Sequence, residues 1–186
     1  MNISAREASI EDSILVLNLR NQRESIAASR NPSKITMTDH ESWYKNRLQF
    51  TETQPFWIFR DSKNVIGYVR LENSSDFENC FEISISISQD LHNKGVGTKI
   101  LNQALNMLSI NFASKRIIAR INLNNINSKK LFKKAGFTYY TVDNGFEVYE
   151  KNVSPSRFVF RADASSVIGT GHIMRIFGLL EELVLQ

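Results

Sequence analysis

The chain has a single cysteine, Cys80, in 186 residues. That excludes an internal disulfide and gives no cysteine spacing for a metal site. No Cys-His signature accompanies it, so Cys80 reads as a structural thiol rather than a nucleophile. A chain without disulfides suits a reducing, cytoplasmic setting. No apolar run is long enough to span a bilayer, and Met1-Asn2-Ile3-Ser4-Ala5-Arg6 lacks the pattern of a signal peptide. The excess of positive charge is small, +4 at pH 7. No aromatic interleaving or DNA-binding motif goes with it, so neither nucleic acid nor a membrane is the expected partner. Attraction for phosphates is the functional reading of that charge, and a solvated face is the plain one. The apolar fraction, 42%, suffices for a packed core. The length fits one ordinary domain plus a short extra piece.

What is present is centred on His92-Asn93-Lys94-Gly95-Val96-Gly97-Thr98-Lys99. Before it, Phe81 to Ser88 alternates strictly between apolar and polar, which predicts a strand with one buried face. After it, Val96, Ile100, Ala104 and Leu108 recur at helical spacing. A glycine-bearing loop therefore joins a strand to a helix N-terminus. Such a loop offers unpaired backbone N–H groups and the positive end of a helix dipole. Diphosphates bind there without needing a particular side chain. The spacing is neither a Walker loop nor GxGxxG. From this stretch alone, an ordinary strand-to-helix turn explains the glycines equally well.

A second stretch, Asn125-Ile126-Asn127-Ser128-Lys129-Lys130-Leu131-Phe132-Lys133-Lys134-Ala135-Gly136-Phe137, follows the apolar strand Ile117 to Ile121. Together the two stretches resemble the GNAT acyltransferase family. The first is similar to that family's Q/R-x-x-G-x-G/A pyrophosphate loop, with His92 where Gln or Arg is usual. The second is similar to its N-x-x-S-x-x-L-F/Y-x-x-x-G-F segment. The resemblance covers about residues 1 to 152 and implies an α/β (α+β) fold, a mixed twisted sheet flanked by helices. It implies acetyl-CoA as co-substrate and no metal. Its cofactor contacts map onto Ile87, His92, Asn93, Lys94, Gly95, Val96, Gly97, Thr98, Asn125, Ser128 and Phe132.

The chain in order gives further expectations. Asn2 to Ala8 reads as a strand and Glu11 to Arg20 as a helix. Gln22 to Lys34 reads as a polar segment broken at Pro32. Thr38 and Glu41 fit a capping box that opens a helix. His40, in the first turn of that helix, is open between chemistry and structure. Phe56 to Phe59 and Val65 to Leu71 form a hairpin. Phe137 to Val142 and Phe146 to Glu150 form another across Asn144-Gly145. Lys129, Lys130, Lys133 and Lys134 cluster on one helix. Glu82 lies on the polar row of its strand. The resemblance makes it the candidate base for the acceptor amine, and a surface glutamate is the plain alternative. The family often has a tyrosine at the position of Phe132 to protonate the departing thiolate. Phenylalanine cannot donate a proton, so Tyr139, Tyr140, another tyrosine or water is expected to serve, or no acid at all. Tyr139 is the candidate named for that step.

After Ser154-Pro155-Ser156 the pattern changes. Arg157 to Asp163 reads as a strand and Ala164 to His172 as a glycine-bearing loop. Ile173, Ile176, Phe177, Leu180, Leu183 and Val184 then mark an amphipathic helix. The run from Arg161 to Arg175 resembles the N-terminus of the nucleotide-sugar hydrolases of pseudaminic acid biosynthesis. The resemblance implies a base at His172, but most of such an enzyme is absent, so no hydrolase activity is expected. The expected organisation is a GNAT domain over 1–153 and an incomplete hydrolase-like piece over 154–186. A hydrolase start beside an acetyltransferase suggests consecutive steps, hence a UDP-linked amino-deoxy sugar as acceptor, with Arg20, Arg30, His40 and Trp43 as candidate contacts. A ribosomal-protein-type N-acetyltransferase and a non-catalytic remnant of a bifunctional protein are the alternatives. The uncovered apolar stripe of the tail also leaves self-association open.

Overall fold

The structure is a computed structural model. It describes residues 2–155 apart from Lys63 and Ser114. The strand, loop and helix expected over residues 157–186, His172 included, lie outside the described residues.

The described chain runs β1 (Ser4–Glu7), a 3-10 turn at Ile10–Asp12, α1 (Ser13–Arg20), α2 (Arg23–Ala28), α3 (Met37–Leu48), β2 (Phe56–Arg60) and β3 (Val65–Asn73). It continues through β4 (Cys80–Ile87), α4 (Val96–Asn111), β5 (Lys115–Asn122), α5 (Ile126–Lys134), β6 (Thr138–Asp143) and β7 (Phe146–Val153). The strands form one sheet in the order β1-β2-β3-β4-β5-β7-β6. Only β4 and β5 pair in parallel, so the sheet is mixed, as expected.

Both faces of the sheet centre are covered, which explains why Phe56-Trp57-Ile58-Phe59 shows no polar alternation. Trp57 and Phe59 pack with Val69, Leu71, Ile117 and Ile121 under Ile100, Leu101, Ala104 and Leu108 of α4. Phe56 and Ile58 face the other way, against Val16 and Leu19 of α1 and Tyr44 of α3. Each large apolar side chain so buried contributes about 1.5–3 kcal/mol. β4 behaves differently. Phe81, Ile83, Ile85 and Ile87 join the α4 layer, whereas Glu82, Ser84 and Ser86 face the α1 side.

The parallel pair is short. β4 and β5 match only from Cys80↔Arg116 to Glu82↔Ile118. Beyond Glu82 the two strands part, while β5 stays paired with β7 as far as Asn122↔Phe146. A wedge therefore opens between Ile83–Ile87 and Ala119–Asn122. Ser88 donates its N–H to Ile66 O at 2.9 Å. Backbone groups alternate along a strand, so those of Ile85 and Ile87 point away from β3 and into the wedge.

Two local expectations need correction. The cap of α3 is Thr36, not Thr38: its Oγ1 accepts from Asp39 N at 3.2 Å and donates to the Asp39 carboxylate at 2.7 Å. Thr36-x-x-Asp39 thus does the work expected of Thr38 and Glu41. The polar segment from Gln22 contains a short helix, α2, which buries no residue fully and so carries little periodic signal. The last hairpin closes the sheet as expected, with β7 between β5 and β6. Its turn is as expected, with Asn144 at φ 45° and Gly145 at φ 82°, the left-handed pair that a two-residue hairpin turn needs.

Candidate active site

The wedge forms a cleft of about 520 Å³. One wall is β4 through Ile85, Ser86 and Ile87. The other is Asn122, Asn124 and the first turns of α5, through Asn125, Asn127, Ser128, Lys130, Leu131 and Lys134. The mouth of α4 closes one end with His92, Asn93, Gly95, Gly97 and Thr98, and α2 borders the cleft with Glu24, Ser25, Ala27 and Ala28.

The N-terminus of α4 is uncapped. Its N-cap, Gly95, has φ 75° and brings no side chain to the helix end. The first helical bond is Lys99 N to Gly95 O, so the N–H groups of Val96, Gly97 and Thr98 lack helical partners. By contrast, α5 is capped: Asn125 Oδ1 accepts from Ser128 N at 3.0 Å. An uncapped helix end at a cleft is an anion site by construction. Gly97 is needed for space. A Cβ there would stand 2.8 Å from Ile87 Cδ1 and 3.5 Å from a Leu131 methyl. Lys130 and Lys134 add positive charge on the α5 wall. Lys129 instead pairs with Glu147 at 2.6 Å.

His92 sits between two acceptors. Its Nε2 lies 3.1 Å from Ile87 O, and its Nδ1 pairs with the Glu24 carboxylate. His92 thereby ties the loop to β4 and to α2. Val96 turns into the core at 5% exposure and serves the site through its backbone. Lys94 is exposed and outside the cleft lining.

Glu82 lies at the point where β4 and β5 separate. Its Oε2 accepts from Arg120 Nη1 at 2.7 Å and from Arg30. Arg120 also binds Asp76 at 2.5 Å and Asp143 at 3.1 Å. Burial would lower the Arg120 pKa, but these carboxylates outweigh it and hold the guanidinium above its ordinary value. Ser86, further along the same polar row, meets Ser25 of α2 (Oγ···Oγ 3.2 Å).

Of the residues expected to act in the reaction or hold the cofactor, Glu82 is not among those that line the cleft, and His40, Phe132 and Tyr139 stand away from it. His40 is buried at 1% exposure. It stacks on Tyr44 at 5.3 Å and its Nε2 donates to Ser13 O at 2.8 Å. Burial lowers its pKa against the opposing pull of the Ser13 carbonyl, so it is a neutral core histidine. Phe132 is buried edge-on against Phe137 at 5.0 Å, and the neighbouring Leu131 reaches the cleft in its place. Tyr139 is exposed on β6 and packs edge-on against Tyr149 at 6.0 Å. Tyr149 itself donates to Glu147 at 2.7 Å. Burial and that carboxylate push its hydroxyl up to about 12. No tyrosine lines the cleft among the described residues. Sequence reading missed Leu131, Asn122, Asn124 and the α2 residues. An asparagine run, Asn122 to Asn127, was the one visible signal for the α5 side.

A parted parallel strand pair with an uncapped helix end at its mouth can hold the phosphates of a ligand. Residues 3–138 match the description "Acetyltransferase (GNAT) domain", and the chain belongs to that family. It is an acetyltransferase, and its co-substrate is acetyl-CoA. The Bacillus subtilis (strain 168) protein YwnH, named as a phosphinothricin acetyltransferase, is 27% identical over 137 residues, 72% of this chain and 80% of YwnH. A domain from Methanocaldococcus jannaschii DSM 2661 superposes with a TM-score of 0.67 at 26% identity, over 81% of this chain and 98% of that domain. The fold is shared also with yncA from Salmonella typhimurium, solved with its cofactor acetyl-CoA. There the TM-score is 0.63 at 18% identity, over 88% of this chain and 100% of that one. Among the described residues no cluster of His, Cys, Asp and Glu could hold a metal, and no helix is long and apolar enough to cross a membrane.

Proposed function

We propose that the enzyme acetylates the 4-amino group of a UDP-linked amino-deoxy sugar in pseudaminic (nonulosonic) acid biosynthesis, in the cytoplasm. The observation that carries the substrate is the sequence of residues 161–175, which resembles the start of that pathway's nucleotide-sugar hydrolase. Hydrolysis follows acetylation there, and fused or adjacent pieces commonly serve consecutive steps. On this reading residues 1–153 are the acetyltransferase and residues 154–186 an incomplete hydrolase-like fragment with no activity of its own.

Acetyl-CoA, when bound, supplies an activated acetyl thioester. The N–H groups of Val96, Gly97 and Thr98 hold its pyrophosphate, and His92 fixes that loop to β4. Asn125 and Ser128 flank its arm from the α5 side. Backbone N–H groups on the free edge of β4, at Ile85 and Ile87, polarise the thioester carbonyl. The acceptor amine must be neutral to attack, so a base takes its proton. Glu82 is that base. It stands four residues along the strand from Ser86, roughly 13 Å at 3.3 Å per residue, so water relays the proton. As the C–N bond forms and the C–S bond breaks, the thiolate takes its proton from solvent. Phe132 has no proton to donate, and Tyr139 faces away from the cleft.

The test is release of CoA thiol from acetyl-CoA with the UDP-linked 4-amino sugar, run beside ribosomal N-terminal peptides. Release with the sugar alone is the expected result. Release with peptides alone would transfer the enzyme to the protein-acetylating branch. Release with neither, and no acetyl-CoA affinity, would make the chain a remnant.

A further inference from the structure

The candidate base does not stand free. Two guanidiniums hold the same oxygen of Glu82, and they differ in kind. Arg120 is 4% exposed and fixed by Glu82, Asp76 and Asp143 together. Arg30 is 51% exposed, belongs to the loop after α2, and pairs with Glu82 across a sequence distance of 52 residues. An exposed ion pair of this kind is weak and easily exchanged. Arg120 is therefore the permanent partner and Arg30 the replaceable one.

The loop that carries Arg30 is itself held by a third arginine. Arg20 Nη2 donates to Ser29 Oγ at 2.7 Å and to Asn31 O at 3.0 Å. Its Nη1 is buried without a hydrogen-bond partner. Arg70 lies close enough for its charge to help lower the Arg20 pKa, after burial, the larger cause. Arg20 therefore holds the loop from which Arg30 reaches Glu82.

We propose that Arg30 gates Glu82 and selects the acceptor by charge. In the free enzyme Arg30 occupies Glu82 Oε2 beside Arg120. An acceptor amine that carries a phosphate offers Arg30 a better partner, draws the guanidinium off Glu82 Oε2, and so uncovers the carboxylate as the amine arrives. A polycationic amine can do neither: it repels Arg30 and leaves Glu82 closed. The acceptor class is an amine bearing a phosphate group. This inference rests on Glu82 as the base and deepens the proposed substrate, but it does not depend on the nucleotide. Arg30 is a specificity-determining residue, and the step it controls is access to the base.

The test uses the full chain saturated with CoA, so that the α4 anion site is filled. Calorimetric titration with UDP, and separately with inorganic diphosphate, is made on the wild type, Arg30→Gln, Arg30→Lys and Glu82→Gln. Arg30→Gln is expected to weaken anion binding about tenfold, since a charge-assisted contact is lost. Arg30→Lys should recover most of that loss. Glu82→Gln should tighten binding severalfold, because Arg30 is no longer shared. A purely structural role for Arg30 would not make those two variants move in opposite directions. Arg30-dependent binding of diphosphate, with UDP no tighter and no turnover of the UDP-sugar, would keep the gate and remove the nucleotide reading. Equal affinity in the wild type and Arg30→Gln, or no binding of either anion to the wild type, would overturn the gate.

Discussion

Glu82 and Arg120 are joined at the last rung of the parallel pair. The carboxylate accepts from the guanidinium at 2.7 Å, and Glu82 is opposite Ile118 in the final β4–β5 match. The ion pair therefore marks where the sheet stops pairing and the cleft begins. Arg120 also pairs with Asp76 and Asp143, so it binds three carboxylates from three separate segments. Arg120→Ala would leave those charges facing one another. Those carboxylates are part-exposed and Glu82 keeps Arg30, so a loss of about 1–3 kcal/mol in unfolding free energy is expected, with partial recovery in Arg120→Lys. Urea denaturation of the two variants checks this.

The anion loop makes a second prediction through backbone geometry. Gly95 has φ 75° and open space around a would-be Cβ, so substitutions there fail through conformation alone. Gly95→Val should cost about 1–2 kcal/mol of local strain and lower acetyl-CoA affinity about tenfold. Gly95→Asn should keep most of the affinity, because asparagine tolerates the left-handed region. Equal loss in both variants would contradict a conformational role.

His40 supplies a pH signature. Burial depresses its folded-state pKa below the ordinary 6.5. The stability it contributes is therefore full above about pH 6.5 and is lost as pH falls through the folded value. Unfolding free energy of the wild type should decline between pH 7 and pH 5. His40→Phe should flatten that decline and leave acetyl-CoA affinity unchanged, as measured by denaturation and calorimetry across the range.

Lys130 and Lys134 line the cleft beside the α4 mouth. Replacing both with glutamate should weaken acetyl-CoA binding by about tenfold or more at low salt. The difference from wild type should shrink as ionic strength rises, because exposed charges are screened. Affinity measured at two salt concentrations distinguishes this from a disturbance of the α5 fold.

Much of this arrangement was legible in the sequence. The strict alternation from Phe81 to Ile87 fixes which residues face α4 and which face α1. The glycines at 95 and 97 announce the uncapped helix, and Asn125 with Ser128 announces the α5 wall. What was not legible depends on long-range contacts. Arg30 and Glu82 are 52 residues apart, and nothing local to either predicts their pairing. His40 sits in a polar helix turn whose sequence suits an exposed residue, yet Tyr44 and the Ser13 carbonyl bury and satisfy it. Phe132 and Leu131 are adjacent, so a one-residue difference in helix phase decides which reaches the cleft. Thr36-x-x-Asp39 is a weaker capping signal than Thr38-x-x-Glu41, because the reciprocal box takes Glu or Gln at its third position.

We propose direct transfer with Glu82 as the base, a role separate from binding of acetyl-CoA in the wedge. The measurement that tests it most directly is kcat and acetyl-CoA affinity on the same preparations of wild type and Glu82→Gln, with the UDP-linked 4-amino sugar as acceptor. The account predicts that kcat falls about 10²–10⁴-fold while acetyl-CoA affinity is retained. Unchanged kcat in Glu82→Gln would contradict it.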